Sequence, residues 1–275
     1  MNSSFNIITP GADTSQSSLL IEIGRKGISY VATNEINTCI ALAAYHFDTG
    51  TSNDEVANYL KDIFAAQPFL QKTFKKISFV YAFAEAELVP KKFMNNVANN
   101  EILDLVYGDT SDRIVRNDFV SSYNINNVYG IPKQVDSVIA NLFPQAQHFH
   151  LYSLLPNVNK VARNQLYIIF STTDVTVQLF KDEKLQLIRS FSYKVPEDVL
   201  YHILNVCQCF DVPVNETTIV LNGMIDVASG LYNEIYKYFL HPVFGKLPEQ
   251  FNYSENIKKY PSHYFSHLFE LAACV

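Results

Sequence analysis

The chain has 275 residues, 48% of them hydrophobic and 17% charged, which is enough apolar material for a sizeable core in one or two domains. A formal charge of −6 excludes nucleic acid or an anionic membrane as the main partner, because both demand a dense basic face. Only 9 glycines are present, so few places exist where backbone can close on a phosphate.

The cysteines are Cys39, Cys207, Cys209 and Cys274. They include no Cys-x-x-Cys pair and read as reduced thiols. The N-terminus lacks the basic start and apolar centre of a signal peptide, and no apolar run reaches the roughly 18 residues of a membrane span. The expectation is a cytoplasmic protein without membrane insertion.

In chain order, residues 1–18 are polar and are expected as a flexible arm. Leu19–Ile23 reads as a buried strand, Gly24-Arg25-Lys26-Gly27 as its hairpin turn, and Ile28–Thr33 and Asn37–Phe47 as two more strands. Ser52 with Glu55 forms a capping box ahead of a helix whose stripe is Val56, Tyr59, Leu60, Ile63 and Phe64. Pro68 closes that helix, and Ile77–Phe83 is a strand covered on both faces. The first half therefore runs β-β-β-α-β.

The second half repeats the order. Leu166–Ser171, Val175–Lys181 and Leu185–Tyr193 read as strands, and Pro196 starts a helix striped with Val199, Ile203, Val206 and Phe210. Thr218–Leu221 is the following strand, ending at Asn222-Gly223, and residues 227–240 read as a further helix. Leu166, Pro196 and Thr218 follow Leu19, Ser52 and Ile77 at a nearly constant offset. That spacing marks a duplicated unit, with halves at 19–150 and 151–275.

Three antiparallel strands, a helix and a parallel strand, twice over, resembles the ribonuclease-H-like unit duplicated in the actin, Hsp70 and sugar-kinase superfamily. The chain as a whole, including its C-terminal KKYPSHYFSHLFELAACV, is similar to an uncharacterised bacterial family with an actin-like ATPase fold. The resemblance implies an α/β chain of two βββαβ subdomains. It also implies a nucleotide site between the halves, built from three motifs. The first, an Asp-x-Gly hairpin, matches Glu22-Ile23-Gly24. The second, Asp-x-Gly-Gly-Gly-Thr-x-Asp, matches YIIFSTTD, where only Thr172 and Asp174 agree. Tyr167 stands at the leading Asp, and Ile169, Phe170 and Ser171 replace the glycines. The third, a Gly-Gly pair, matches Asn222-Gly223.

Backbone amides reach a β-phosphate only where no side chain intervenes, and the side chain of Phe170 or Ser171 is expected to intervene. Phosphoryl transfer rests on positioning and charge neutralisation, so loss of the Asp and the glycines removes half of that machinery. The expectation is a non-catalytic binding or assembly platform without a resident cofactor, working with a protein partner or as a homodimer. The alternative is a diverged kinase or ATPase that binds Mg-ATP weakly, with Glu22, Asp48 and Asp174 as its carboxylates.

Other groupings have plainer readings. His263, His267 and Glu270 would share a helix face as metal ligands, but a solvated or interfacial face explains the spacing as well. His148 and His150 alternate on a strand and are expected to pack. Lys72, Lys75, Lys76, Lys91 and Lys92 are too few for nucleic acid and read as solvated element ends. The aromatics Tyr232, Tyr236, Tyr264 and Phe265 exceed what one helix stripe can bury and form the interface candidate.

Overall fold

The computed structural model describes residues 3–48, 50–94, 99–158 and 162–275. The chain divides into two compact units, Met1–Leu154 with Gln250–Ile257 and Val275, and Leu155–Glu249 with Lys258–Cys274. The boundary expected after residue 150 falls early, because the helical turn Leu151–Leu154 stays with the first unit. The return of residues 250–257 to that unit carries no sequence signal. It is held by backbone bonds, Asn252 N–H to the Asn37 carbonyl at 2.8 Å and Cys39 N–H to the Asn252 carbonyl at 2.9 Å.

In the first unit, β1 (Ser3–Ile8), β2 (Ser18–Gly24), β3 (Gly27–Thr33) and β4 (Cys39–His46) precede helix α1 (Asn53–Ala66) and β5 (Lys76–Tyr81). There follow β6 (Ala86–Pro90), α2 (Asn99–Tyr107), β7 (Arg113–Val120), β8 (Ile125–Pro132), α3 (Lys133–Leu142), β9 (Gln147–His150) and the turn α4 (Leu151–Leu154). The main sheet has strand order β1-β4-β3-β2-β5-β9, and β6-β8-β7 forms a separate antiparallel sheet. β5 runs parallel to β2, with Leu19 beside Ile77, so the βββαβ order is realised. The capping box is present: Ser52 Oγ accepts from Glu55 N–H, and the Glu55 carboxylate accepts from Ser52 N–H at 2.7 Å. Such a cap contributes about 1 kcal/mol. Val56, Leu60, Ile63 and Phe64 are buried as the stripe requires, each contributing about 1.5–3 kcal/mol.

The N-terminal stretch is not a flexible arm. Ser3–Ile8 pairs antiparallel with β4, and Thr14 and Ser17 are buried. β4 reads CIALAAYH and is buried almost throughout, so its outer backbone groups need partners. Phe5 and Ile7 alternate with exposed Ser4 and Asn6, the faint pattern of a strand covering one edge.

In the second unit, β10 (Gln165–Phe170), β11 (Asp174–Lys181) and β12 (Lys184–Ser192) precede α5 (Pro196–Cys209) and β13 (Thr218–Gly223). Helix α6 (Gly230–Tyr236), β14 (Val243–Phe244) and α8 (Ser266–Cys274) follow, and the turn α7 (Glu255–Lys258), between β14 and α8 in the chain, belongs to the first unit up to Ile257. The sheet order is β12-β11-β10-β13-β14, with β13 parallel to β10 and Ile219 beside Leu166. It reproduces the β4-β3-β2-β5-β9 order of the first unit strand for strand. Pro196 takes the first helical position, and the Asp198 carboxylate accepts from the N–H groups of Lys194 and Val195. Those two backbone bonds hold its carboxyl below the usual range. The core joins Leu166, Ile168 and Phe170 of β10 to Val199, Ile203 and Val206 of α5.

The helix expected over 227–240 is shorter. Asp226 folds an Asx turn onto Ala228 N–H, and Ser229 Oγ caps Tyr232 N–H at 3.1 Å, which fixes its start. Phe239 supplies the buried aromatic after it, whereas Tyr238 is exposed.

Candidate functional site

The residues that match the three nucleotide motifs gather at equivalent sheet ends within each unit. In the first unit, Glu22 lies on β2 between Ser29 of β3 and Val80 of β5, and Gly24 ends the strand. Asp48 follows β4 at the same end, where Phe47 N–H donates to the Lys26 carbonyl at 2.8 Å. The hairpin turn is braced: Arg25 donates to Glu85 at 2.8 Å, and Arg113 donates to the same oxygen at 2.7 Å. Glycine is needed at Gly27 because a Cβ there would collide with the Tyr45 carbonyl oxygen across the sheet. That explains the residue without any ligand.

In the second unit, Thr172, Asp174 and Gly223 meet where β10 ends. Phe170 pairs with Val175 on one side and Gly223 on the other, and Thr172 is exposed at the tip of the Ser171–Thr173 turn. The turn is closed on itself: Ser171 N–H donates to the Asp174 carbonyl at 2.9 Å, and Tyr193 hydroxyl donates to the Ser171 carbonyl at 2.8 Å. The Asp174 carboxylate accepts from Ser192 Oγ at 2.6 Å.

Gly223 has φ +80°, in the left-handed region, and a side chain there would strike the Phe170 carbonyl. Its neighbour Asn222 is fully buried, donating to the Ile168 carbonyl at 3.3 Å and accepting from Ser266 Oγ at 2.6 Å. This pair therefore ties β13 to β10 and α8. Phe170 departs from expectation. Its ring is buried in the core with Val175 and Val199 rather than standing over the turn. Successive residues of a strand face opposite sides, and position 170 falls on the side facing α5.

Tyr167, at the leading acidic position, is buried, and its hydroxyl donates to the Glu270 carboxylate. Desolvation raises the Glu270 carboxyl above its ordinary value, and the tyrosine bond opposes that shift. The alternative metal triad is not assembled on one helix face. His263 sits in the turn Ser262–Tyr264, ahead of α8, and its Nε2–H donates to the Ile225 carbonyl at 2.8 Å. His267 and Glu270 lie on α8. Among the described residues, no three His, Cys, Asp or Glu side chains are grouped to hold a metal ion.

The interface candidates form an aromatic run within the second unit. Tyr232 stacks on Tyr236 at 6.0 Å and on Phe244 at 5.6 Å, and Phe244 meets His263 at 4.4 Å. Phe265 is 3% exposed and belongs to the core, so it leaves the candidate surface. Tyr232 and Tyr264 are half-buried. Tyr236 is exposed, and Tyr238, Leu240 and Val243 join it. Sequence periodicity misses Leu240 and Val243, because they follow the helix instead of riding on it.

A polar cluster in the first unit also escapes sequence reading. The Asp118 carboxylate accepts from Ser153 Oγ at 2.7 Å, Tyr129 hydroxyl at 3.1 Å and His150 N–H at 3.1 Å. His150 is fully buried, donating from Nε2 to the Phe83 carbonyl at 2.9 Å and accepting at Nδ1 from Tyr152 N–H at 3.1 Å. Burial pushes its imidazole down to about 4. The His148 ring accompanies it on β9, with Nδ1 bonded to Tyr81 hydroxyl at 2.8 Å. Both histidines pack, as their alternation implies. Asp118 is half-buried and fastens β7 to β9 and α4.

No helix among the described residues is long and apolar enough to cross a membrane. No curated protein matches the chain. Among solved structures, the chain is similar to a Bacteroides thetaiotaomicron protein with an actin-like ATPase fold and unknown function, at 19% identity and TM-score 0.75, covering 94% of this chain and 96% of that one. It is also similar to a chain of the PilM–PilN type IV pilus biogenesis complex, at 11% identity and TM-score 0.62, covering 93% of this chain and 97% of that one. The fold is thus the actin-like ATPase fold that the duplicated βββαβ order implies. The profile of one sequence family, described as "Protein of unknown function (DUF3822)", matches residues 8–241, and the chain belongs to that family.

Proposed function

We propose that this protein is a non-catalytic binding or assembly platform built on an actin-like fold. One observation carries the reading: the residue that the resemblance matches to the leading Asp of the second motif is Tyr167, buried and bonded to Glu270. A phenol has no carboxylate for Mg²⁺, and ordinary strand and turn geometry closes the segment around it. Asn222-Gly223, the adenosine-side match, is likewise occupied by strand-to-strand and strand-to-helix bonds. These contacts give the motif positions a structural role that leaves little for a nucleotide.

The platform half of the proposal is supported by exposed apolar residues on the second unit. Tyr236 is 48% exposed, Tyr238 49% and Leu240 60%, and Val243 is also exposed. Exposed aromatic and aliphatic side chains are enriched at contact surfaces. A like fold in a pilus biogenesis complex is a precedent for the fold working within an assembly.

A thermal-shift series with ATP, ADP and Mg²⁺ tests the reading, since a ligand selective for the folded state raises the melting temperature once it exceeds its Kd. No shift is expected at 1 mM nucleotide, a concentration set from the roughly millimolar limit of weak binding. A rise of several degrees would instead favour a nucleotide enzyme using Glu22, Asp48 and Asp174.

A further inference from the structure

At the sheet end opposite the Gly24–Gly27 turn, the first residues of β5 and β9 join the ends of α1 and α3 around a pocket of about 750 Å³. Its floor is aromatic. Phe64 and Phe74 are buried, and Phe143 meets Phe64 edge-on at 5.1 Å. Its rim carries Lys61, Lys72, Lys75 and Lys76, and no Asp or Glu is among its lining residues. Lys72 donates to the Ala12 carbonyl at 3.3 Å. Lys61, Lys75 and Lys76 form no ion pair among the described residues. Four lysines and no carboxylate in the lining of one pocket are a local reversal in a chain of net charge −6.

Two further hollows share walls with this pocket. One, about 790 Å³, lies between α1 and α3 and shares Lys61 and Leu142. The other, about 600 Å³, lies beside the β3–β4 turn and shares Lys75, Lys76 and Gln147. Each alone is the size of a small-molecule site, and the two flank the central pocket on either side, one at Lys61 and Leu142 and the other at Lys75, Lys76 and Gln147. Acidic residues enter only in the outer hollows, as Asp54 in one and Glu35 in the other.

We propose that the pocket and its flanking hollows act as a groove that binds an acidic peptide segment of a partner protein. One apolar side chain enters the aromatic central pocket, and carboxylates on either side of it meet the lysines. Hollows on both sides of the aromatic pocket leave room for the residues that precede and follow an anchoring side chain, which favours a peptide, and the lysine rim selects for negative charge. The burial of one anchoring side chain supplies affinity, and the rim charges supply specificity and association rate. The groove belongs to the first unit and does not involve Tyr236 or the nucleotide-motif positions, so its test and theirs can fail separately.

The experiment is a selection of random dodecapeptides displayed on phage against the full-length protein, followed by anisotropy titration of a fluorescein-labelled copy of the leading sequence. Enriched peptides are expected to be net negative around a Leu, Phe or Met. The paired substitution Lys61→Glu with Lys75→Glu is expected to weaken binding at least tenfold. Lys91→Glu with Lys92→Glu, an equal charge change elsewhere, is expected to leave it unchanged. Melting curves confirm that both variants fold. Failure to enrich, enrichment without acidic bias, or equal affinity in both variants overturns the proposal. So does self-association lost only in the groove variant, which would make a second copy the occupant.

Discussion

The Tyr167 hydroxyl donates to the Glu270 carboxylate, joining the middle of β10 to the C-terminal helix α8. The bond sits at the residue that the resemblance matches to the leading Asp of the second motif. Tyr167 is part of the packing between a sheet and a helix. The segment 258–274 consequently belongs to the second unit through a buried polar contact as well as through the apolar side chains of α8.

Tyr167→Phe leaves a buried carboxylate without this donor. The expected cost is about 1–3 kcal/mol, read as a fall of several degrees in melting temperature. Glu270→Gln, neutral and still able to accept, is expected to cost less. Equal melting temperatures for Tyr167→Phe and the wild type would remove the structural role assigned to this pair.

Gly223→Ala places a Cβ against the Phe170 carbonyl and holds a non-glycine residue at φ +80°. Strain of this kind costs on the order of 1–3 kcal/mol before the collision is relieved. Urea denaturation should show a lower midpoint for this variant. Gly230→Ala, where nothing lies within 4 Å of the added carbon, should stay near the wild-type value.

His150 gives the first unit an acid sensitivity with a definite sign. Its folded-state value, near 4, lies below the unfolded value near 6.5. The stabilisation is present above 6.5 and is lost as the pH falls towards 4, because the unfolded chain then takes up the proton first. Between pH 6.5 and 5 the loss amounts to about 2 kcal/mol. Asp118 and Glu270, both raised by burial, act in the opposite sense, losing stability as pH rises. Denaturation midpoints measured from pH 7 to pH 5 should fall more steeply for the wild type than for His150→Asn. Parallel slopes would show that His150 does not titrate in this way.

The tyrosine surface separates into core and contact. Tyr236→Ser with Tyr238→Ser removes exposed rings and should leave the melting temperature within a few degrees. Tyr232→Ser removes a half-buried ring stacked on Phe244 and should lower it clearly. Sedimentation velocity over a wide concentration range then checks the contact role in the case of self-association. The double variant is expected to lose any concentration-dependent shift that the wild type shows. A shift retained in full would place the contact elsewhere.

The duplicated βββαβ order was legible because its strands are long apolar runs and its helices open on recognisable caps, Ser52 with Glu55 and Pro196 with Asp198. The inserted sheet β6-β8-β7 was not, since RIVRNDFV and INNVYGIP mix charged and amide residues into short strands. Those polar side chains are consumed by tertiary contacts such as Asp118 with Ser153 and Arg116 with Asp136 at 2.7 Å, which no local pattern announces. At the candidate site the sequence revealed which motif residues were replaced. It did not reveal that Phe170 turns into the core or that Tyr167 finds Glu270, because both depend on strand facing and a partner far along the chain. The lysines at 72, 75 and 76 read as a solvated end until α1, α3 and β9 closed a pocket beside them.

The most direct test of the account is isothermal titration of the full-length protein with Mg-ATP. Binding no tighter than about millimolar, roughly −4 kcal/mol, is expected from motif positions committed to packing. A micromolar dissociation constant with one site per chain would contradict the degenerate-site account and favour the nucleotide-dependent enzyme reading.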